Sequence, residues 1–176
     1  MAATVEVRYF TGASPGITGT VWPANGRYDR SDSVPTTDGS TNAIPIPAAG
    51  SGLFANSWRR WTKIFATVAP TGTISNLRWY DGTSWGTGVK NWVKSTPDAS
   101  YVQASAADES LGTAVYTDAS TLTLNSPLVV NAGTVISATG TGGAAQNYVE
   151  SFLRVDETAT QGLISGHTLV YRWDET

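Results

Sequence analysis

The chain opens with a regular alternation of apolar and polar side chains. Val5, Val7 and Tyr9 alternate with Glu6 and Arg8. A period of two residues places neighbouring side chains on opposite faces of a β-strand. We therefore predict a strand over residues 5–10 with one buried face and one face in water.

The segment that follows, residues 11–57, which we name the N-terminal arm, is predicted to be irregular. Proline and glycine recur too often along it for a helix, and the run Ile44-Pro45-Ile46-Pro47 is held extended by its prolines. Irregular segments of this length are uncommon inside compact domains. We expect an extended arm on a protein surface, and two interpretations stay open: it covers the protein's own sheet, or it reaches a neighbouring subunit.

Strand-like runs continue from Trp58 onward. Between Trp58 and Val68 both faces carry large apolar groups, as in a central strand of a sandwich. The Asp81-Gly82 pair predicts a turn between the runs 74–80 and 89–94, and hence a meander. The runs 147–155 and 167–174 are predicted to pair as a terminal hairpin. Within residues 98–118 a short helical turn is predicted at the Ala-Ala-Asp-Glu sequence.

These runs add up to about eight to ten short strands separated by turn residues. The predicted fold class is all-β, an antiparallel β-sandwich or jelly-roll-like domain. A chain of 176 residues is long enough for one domain with a sizeable core. We therefore predict a single domain over residues 1–176 that includes the arm.

Composition and charge restrict the kinds of partner. The net charge is −3 and only 14% of residues are charged, and Arg59-Arg60 is the one cluster of basic residues, so nucleic acid is not expected as a partner. The chain has no cysteine, which excludes disulfides and thiolate metal sites. The N-terminus does not resemble a signal peptide, and no apolar stretch approaches the roughly 20 residues needed to span a bilayer. We expect a soluble protein made in a cytoplasm, with no membrane partner.

The side chains needed for common catalytic sites are few. His167 is the single histidine and is expected to pack in a strand with Leu169 and Tyr171. No nucleophile elbow, P-loop or dinucleotide fingerprint occurs. We predict that the protein is not an enzyme and uses no cofactor.

Carboxylates are the remaining candidates for chemistry, because a glycosidase needs only two of them. We interpret Asp81 as a turn residue, Glu150 as an outward strand position, and the others as solvated loop charges. A calcium loop is not expected near Asp29 and Asp32, since the ligand spacing and the closing glutamate are missing. The carboxylate candidates are Asp81, Asp108, Glu109, Glu150, Asp156 and Glu157, and the calcium candidates are Asp29, Asp32 and Asp38-Gly39.

Aromatic content points to protein binding instead. Seven Trp and seven Tyr are more than one core requires, and surplus aromatic residues are enriched at protein interfaces. Trp85 and Trp92, near a turn and a polar strand, are the tryptophans expected to be exposed, although both also fit a core. The candidate interface residues are Trp22, Tyr28, Ile44, Ile46, Phe54, Trp85 and Trp92.

Three segments together resemble a family of small virion structural proteins in tailed bacteriophages and related prokaryotic viruses. They are residues 5–12 (VEVRYFTG), residues 74–80 (ISNLRWY), and residues 160–162 (TQG) with 169–175 (LVYRWDE). The resemblance implies a β-sandwich on the particle exterior, in the role of an auxiliary capsid protein that decorates the shell. It also implies a homotrimer on a local three-fold axis, and it brings no catalytic positions.

The function expected from these patterns is that of a non-enzymatic capsid decoration or cement protein in the virion. Its partners would be the major capsid protein and copies of itself, held by weak contacts repeated over symmetric copies. One alternative is a tail- or fibre-associated module that binds glycans through exposed tryptophans. A second alternative is a glycosidase that acts through paired carboxylates.

Overall fold

The computed structural model describes residues 2–13, 19–23, 26–32, 41–81, 83–96, 101–104, 113–130, 136–140, 148–162 and 167–176. Ten β-strands form within these ranges, together with a short 3-10 turn at Ala119–Thr121. The strands are β1 (Thr4–Phe10), β2 (Thr20–Val21), β3 (Phe54–Asn56), β4 (Arg60–Val68), β5 (Ile74–Tyr80), β6 (Val89–Thr96), β7 (Thr117–Asp118), β8 (Leu128–Val129), β9 (Tyr148–Asp156) and β10 (Val170–Glu175).

Two antiparallel sheets lie face to face in a sandwich-like arrangement. The large sheet has the order β2-β1-β4-β9-β6-β7, with β3 added on β9, and the small sheet has the order β10-β5-β8. The predicted all-β sandwich is confirmed, while the jelly-roll arrangement stays a prediction. The predicted Ala-Ala-Asp-Glu turn, at residues 106–109, lies outside the described residues.

The main core lies between the two sheets, on what we name the inner face of the large sheet. Ile64 and Val149 of the large sheet and Leu77 and Trp79 of the small sheet are almost fully buried there. Burying each large apolar side chain stabilises the fold by about 1.5–3 kcal/mol. The two apolar faces of β4 agree with the pattern in the sequence. In β1 the predicted contrast between a buried and a wet face is not seen, because residues 5–8 are all half-buried and both Tyr9 and Phe10 are buried.

The small sheet covers only part of the inner face, and the N-terminal arm covers much of the rest. Asp29 of the arm forms a buried ion pair with Arg60 of β4, with 2.7 Å between Oδ1 and Nη2. The Tyr28 hydroxyl lies 2.6 Å from the Ser151 hydroxyl of β9. The part of the arm around Tyr28 and Asp29 therefore lies on the protein's own sheet, and two short pieces of the arm, β2 and β3, join that sheet. Most of residues 41–53 are exposed.

Two predicted strand pairings are wrong. The runs predicted as a meander alternate between sheets, because β4 and β6 belong to the large sheet and β5 to the small one. The predicted terminal hairpin is also absent among the described strands, since β9 pairs with β3, β4 and β6 while β10 pairs with β5. The alternation of apolar and polar side chains indicates which face of a strand is buried. Which strands pair with each other depends on how the connecting segments cross the core.

Candidate functional site

The outer face of the large sheet, which points away from the small sheet, carries an unusual set of side chains. Folding gathers six of the eleven Lys and Arg residues onto it, and most of them lie over aromatic rings. The cations are Arg8, Arg59, Lys63, Lys90, Lys94 and Arg154.

One part of this face, which we name the outer patch, reaches the surface. It consists of Phe54 from β3, Arg154 from β9, Lys90 and Trp92 from β6, and Leu53, which adjoins Phe54 in the chain. Asn56 lies opposite Arg154, and Arg154 lies opposite Lys90, so three strands place these positions side by side. Leu53 is 63% exposed and Phe54 is 40% exposed. The sheet thus presents apolar and cationic groups on a rigid surface.

Contacts within the outer patch hold its side chains in place. The Arg154 guanidinium carbon lies 3.8 Å from the centre of the Phe54 ring, and its Nε donates to Asn56 Oδ1 at 3.0 Å. Partial burial lowers the pKa of Arg154 from its usual value. Stacking of this kind contributes about 0.5–1 kcal/mol at exposed sites, and it orients both groups for contact with another surface.

Lys90 forms the second cationic position of the outer patch. Its Nζ lies 5.7 Å from the centre of the Trp92 ring and 3.1 Å from Oδ2 of Asp118 in β7. Partial burial acts to raise the pKa of Asp118, but hydrogen bonds from Ser120 and Lys90 outweigh it and lower that pKa overall. Asp118 is therefore held ionised and keeps Lys90 near the indole.

A buried charge cluster lies beside the outer patch on the same face. Glu150 of β9 is fully buried and sits between Arg59 Nη1 at 3.1 Å and Lys94 Nζ at 3.5 Å. The Tyr116 hydroxyl donates to the same carboxylate. Burial is the largest cause that raises the pKa of Tyr116, and its hydrogen bond to Glu150 raises that pKa further.

Glu150 corrects one expectation from the sequence. It points away from the inner face, as an outward position should, but it is not solvated. Tyr116 and the residues around it lie over this part of the outer face and exclude water. Two cations compensate the charge of this carboxylate and the Tyr116 hydroxyl donates to it, so Glu150 joins β9 to Arg59, to Lys94 of β6 and to Tyr116.

A lysine is buried next to this cluster. Lys63 of β4 is 3% exposed, and its Nζ lies 4.0 Å from the centre of the Tyr148 ring. Phe10 and Trp61 pack around Tyr148 with nearly perpendicular rings. Burial lowers the pKa of Lys63 to about 8.

Four candidate interface residues hold the arm and a loop on the protein's own body. Trp22 lies 5.8 Å from Tyr9 and 6.1 Å from Tyr28, measured between ring centroids. Tyr28 in turn lies 6.0 Å from Trp85. Ile44, Tyr28 and Trp85 all pack against the buried cluster formed by Val89, Leu153 and Val155. Among the described contacts these four residues therefore act in internal packing.

Trp85 is also enclosed by the loop that precedes β10. The His167 ring stacks on Trp85 with 3.8 Å between centroids and an interplanar angle of 12°. Asp81 accepts a hydrogen bond from Trp85 Nε1 at 2.5 Å and lies 3.4 Å from His167 Nδ1. His167 is thus packed against Trp85, but it precedes β10 and does not lie in a strand as the sequence predicted. Asp81 is buried between these two side chains.

The remaining candidate interface residues lie nearer the surface. Ile46 is 37% exposed in the arm, while Phe54 and Trp92 belong to the outer patch. Neither Trp85 nor Trp92 is fully exposed, because each is half-buried. The expectation that these two tryptophans are the exposed ones is therefore wrong, and Leu53 and Phe54 are more accessible.

The described carboxylates have partners within the protein. Asp156 accepts from Thr158, and Glu157 accepts from the Gly52 amide at 2.5 Å. Asp32 accepts from Gly12 and Gln103. The described part of the chain contains no group of three or more His, Cys, Asp or Glu residues placed to hold a metal ion. Asp38, Gly39, Asp108 and Glu109 lie outside the described residues.

The cations of the outer face are the feature that sequence reasoning missed. Lys90 and Lys94 are four residues apart in β6 and Arg154 is far from both in the chain, so the three form no basic run. The signal was their alternation with Phe152 and Trp92 along two strands, which become neighbours in the sheet. Recognising it required the pairing of β6 with β9.

Comparison with protein-family models, curated proteins and solved structures finds no match. None of the helical structure in the described ranges has the length and apolar character required to cross a membrane.

Proposed function

We propose that this protein is a non-enzymatic structural component of a tailed-virus particle. It acts as a capsid decoration or cement protein that binds the major capsid protein and copies of itself on the particle exterior. The observation that carries this proposal is the outer patch, in which Leu53 and Phe54 are exposed beside two oriented cations on a rigid sheet. The resemblance of three segments to virion proteins supplies the viral context.

The chemistry of the outer patch suits a protein surface with apolar and acidic groups. Aromatic and arginine side chains supply most of the binding energy at protein interfaces. Arg154 and Phe54 are already held against each other, so little conformational freedom is lost when a partner binds. Repetition of a modest contact over many symmetric copies then gives strong retention.

The arrangement of titratable groups supports a structural role. Asp29, Asp81 and Glu150 are buried, and each contacts a donor or cation from another segment of the chain. Asp29 joins the arm to the large sheet, and Glu150 joins Tyr116 to it. Asp81 joins the loop that carries Trp85 to the segment that precedes β10. Contacts within the folded chain are therefore sufficient to explain why these three carboxylates are buried.

Glycan binding through exposed tryptophans receives no specific support. All seven tryptophans lie within the described residues, and each is buried or half-buried. Trp85 has the His167 ring stacked on it and lies nearly perpendicular to Tyr28. One of the tryptophans expected to stack on a sugar is therefore occupied by internal contacts.

The test is the addition of purified protein to parent capsids that lack it. The double variant Leu53→Ser/Phe54→Ser should bind at least about tenfold more weakly than the unchanged protein, since such anchors contribute about 1–2 kcal/mol or more. Leu124→Ser is the matched control, because Leu124 is 51% exposed in a turn outside the outer patch. Normal capsid binding by the double variant, or no binding by the unchanged protein, would contradict the proposal.

A further inference from the structure

The C-terminal strand β10 leaves one edge of the small sheet open among the described strands. It pairs with β5 on one side only and contains six residues. The edge strands β2, β7 and β8 contain two residues each. A long edge with unpaired N–H and C=O groups is a template for another strand.

The backbone groups that face this edge follow from the end of the strand. The Thr176 amide donates to Thr73, and its carbonyl accepts from Thr73, so both groups of Thr176 face β5. Alternation then directs the backbone groups of Tyr171, Trp173 and Glu175 toward the open edge. The pairing of β5 with β10 contains a β-bulge, in which β5 has one residue more than β10 between the pairs Ser75–Asp174 and Arg78–Arg172. The bulge lies near Asn76, whose φ is 51°. Because the extra residue belongs to β5, the backbone groups of β10 keep their regular alternation.

Charges on the solvent side of β10 indicate what could pair with it. Arg172 and Asp174 are both exposed on the same side of the strand. Arg172 lies opposite Arg78 of β5, and like charges directly opposite each other are unfavourable. Among the described residues Arg172 has no ion-pair partner. The exposed side of β10 therefore carries Arg172, a cation without an ion-pair partner in the described part of the chain, two residues from an acid, Asp174.

We propose that β10 pairs antiparallel with β10 of a second copy of this chain, about a two-fold axis at Trp173. Trp173 then faces Trp173 of the second copy, and Tyr171 faces Glu175 of the second copy. These are the residues whose backbone groups point to the open edge, and together they form about six hydrogen bonds. The contact also adds to the burial of the half-buried Trp173 side chains.

The charges select this register. Arg172 of each copy lies opposite Asp174 of the other, in pairs without mutual hydrogen bonds, where Cα atoms approach to about 4.5 Å and side chains are closest. Sliding the second strand by two residues in one direction places Arg172 opposite Arg172. Sliding it in the other direction places Asp174 opposite Asp174. Both shifts are unfavourable.

A two-fold contact of this kind closes after two copies. It therefore predicts a dimer in solution in place of the trimer implied by the resemblance. The inference deepens the self-association within the proposed function, but it does not depend on capsid binding, since the outer patch lies on the other sheet. A monomeric protein that still binds capsids would overturn the inference alone.

The experiment is sedimentation of the full chain over a concentration series. The unchanged protein should dimerise, and Arg172→Asp should raise the dimer dissociation constant at least about tenfold, because Asp then faces Asp174 of the other copy. Asp174→Arg should act in the same direction. The double variant Arg172→Asp/Asp174→Arg restores opposite charges and should return the dissociation constant to within about threefold of the original.

Folding can be separated from association in these variants. Within one chain Arg172→Asp places an acid opposite Arg78, so thermal stability of the monomer should not fall. A monomer at all concentrations would overturn the proposal. So would a trimer or a dimer that Arg172→Asp leaves unchanged, or a failure of the double variant to restore association.

Discussion

At the scale of single residues, burial of ionisable groups sets the pH dependence of stability. Lys63 has a folded-state pKa of about 8, below its ordinary 10.5, because burial penalises the charged form. Between these values the unfolded chain binds a proton that the folded chain has released. The free energy of unfolding should therefore rise as pH increases from about 8 to 10.

Buried tyrosines act in the opposite direction at higher pH. Burial raises the pKa of Tyr28 to about 12 and also raises the pKa of Tyr171 above its ordinary value of 10.0. Above about pH 10 the unfolded chain loses protons that the folded chain keeps, so stability falls. Urea denaturation at about pH 7, 9.5 and 11.5 should thus show a maximum at the middle value.

Lys63→Met isolates the lysine contribution. This variant should lose the rise between about pH 8 and 10 and keep the fall above it, because the tyrosines are unchanged. The control Lys90→Met, at a side chain that is 59% exposed, should keep both. A stability that is flat between pH 8 and 10 in the unchanged protein would disprove this account of Lys63.

At the scale of elements, the N-terminal arm is part of the folded domain. Deletion of residues 15–47 removes Asp29 and leaves Arg60 as a buried cation without its carboxylate, which alone costs about 3–5 kcal/mol. It also uncovers Val89 and Leu153. We expect the deletion to abolish cooperative unfolding and near-ultraviolet circular dichroism, since few domains of this size have more than about 5–15 kcal/mol to lose.

A milder change in the same arm serves as the comparison. Ile46→Ser alters an exposed arm side chain and should change the free energy of unfolding by less than about 0.5 kcal/mol. If the deletion variant instead unfolds cooperatively with near-normal stability, the arm is an appendage, and the alternative in which it serves a neighbouring subunit gains support.

The elements also show how far the sequence alone leads. The existence of β1 and β4 as strands follows from the two-residue period of their side chains, because that period is a local property. The pairing of β10 with β5 does not, since it depends on where the connections cross the core. Of the candidate interface residues, Phe54 and Trp92 both lie in the outer patch, whereas Tyr28 and Trp85 pack inside the protein. Composition cannot distinguish these two uses of an aromatic ring.

At the scale of the whole molecule, the two proposed contact surfaces lie on different sheets. We propose that the large sheet presents the outer patch, with Phe54 and Arg154, to a partner of different sequence, and that the small sheet presents the β10 edge to a second copy. This separation allows one copy to contact a shell and a neighbour at the same time, which is what a cement protein requires.

Cryo-electron microscopy of the parent particle would show where this chain is bound. A capsid decoration protein should give density on the outer surface of the capsid, with Phe54 and Arg154 turned toward the major capsid protein. Density confined to the tail, or particles that lack the chain altogether, would contradict a role in capsid decoration.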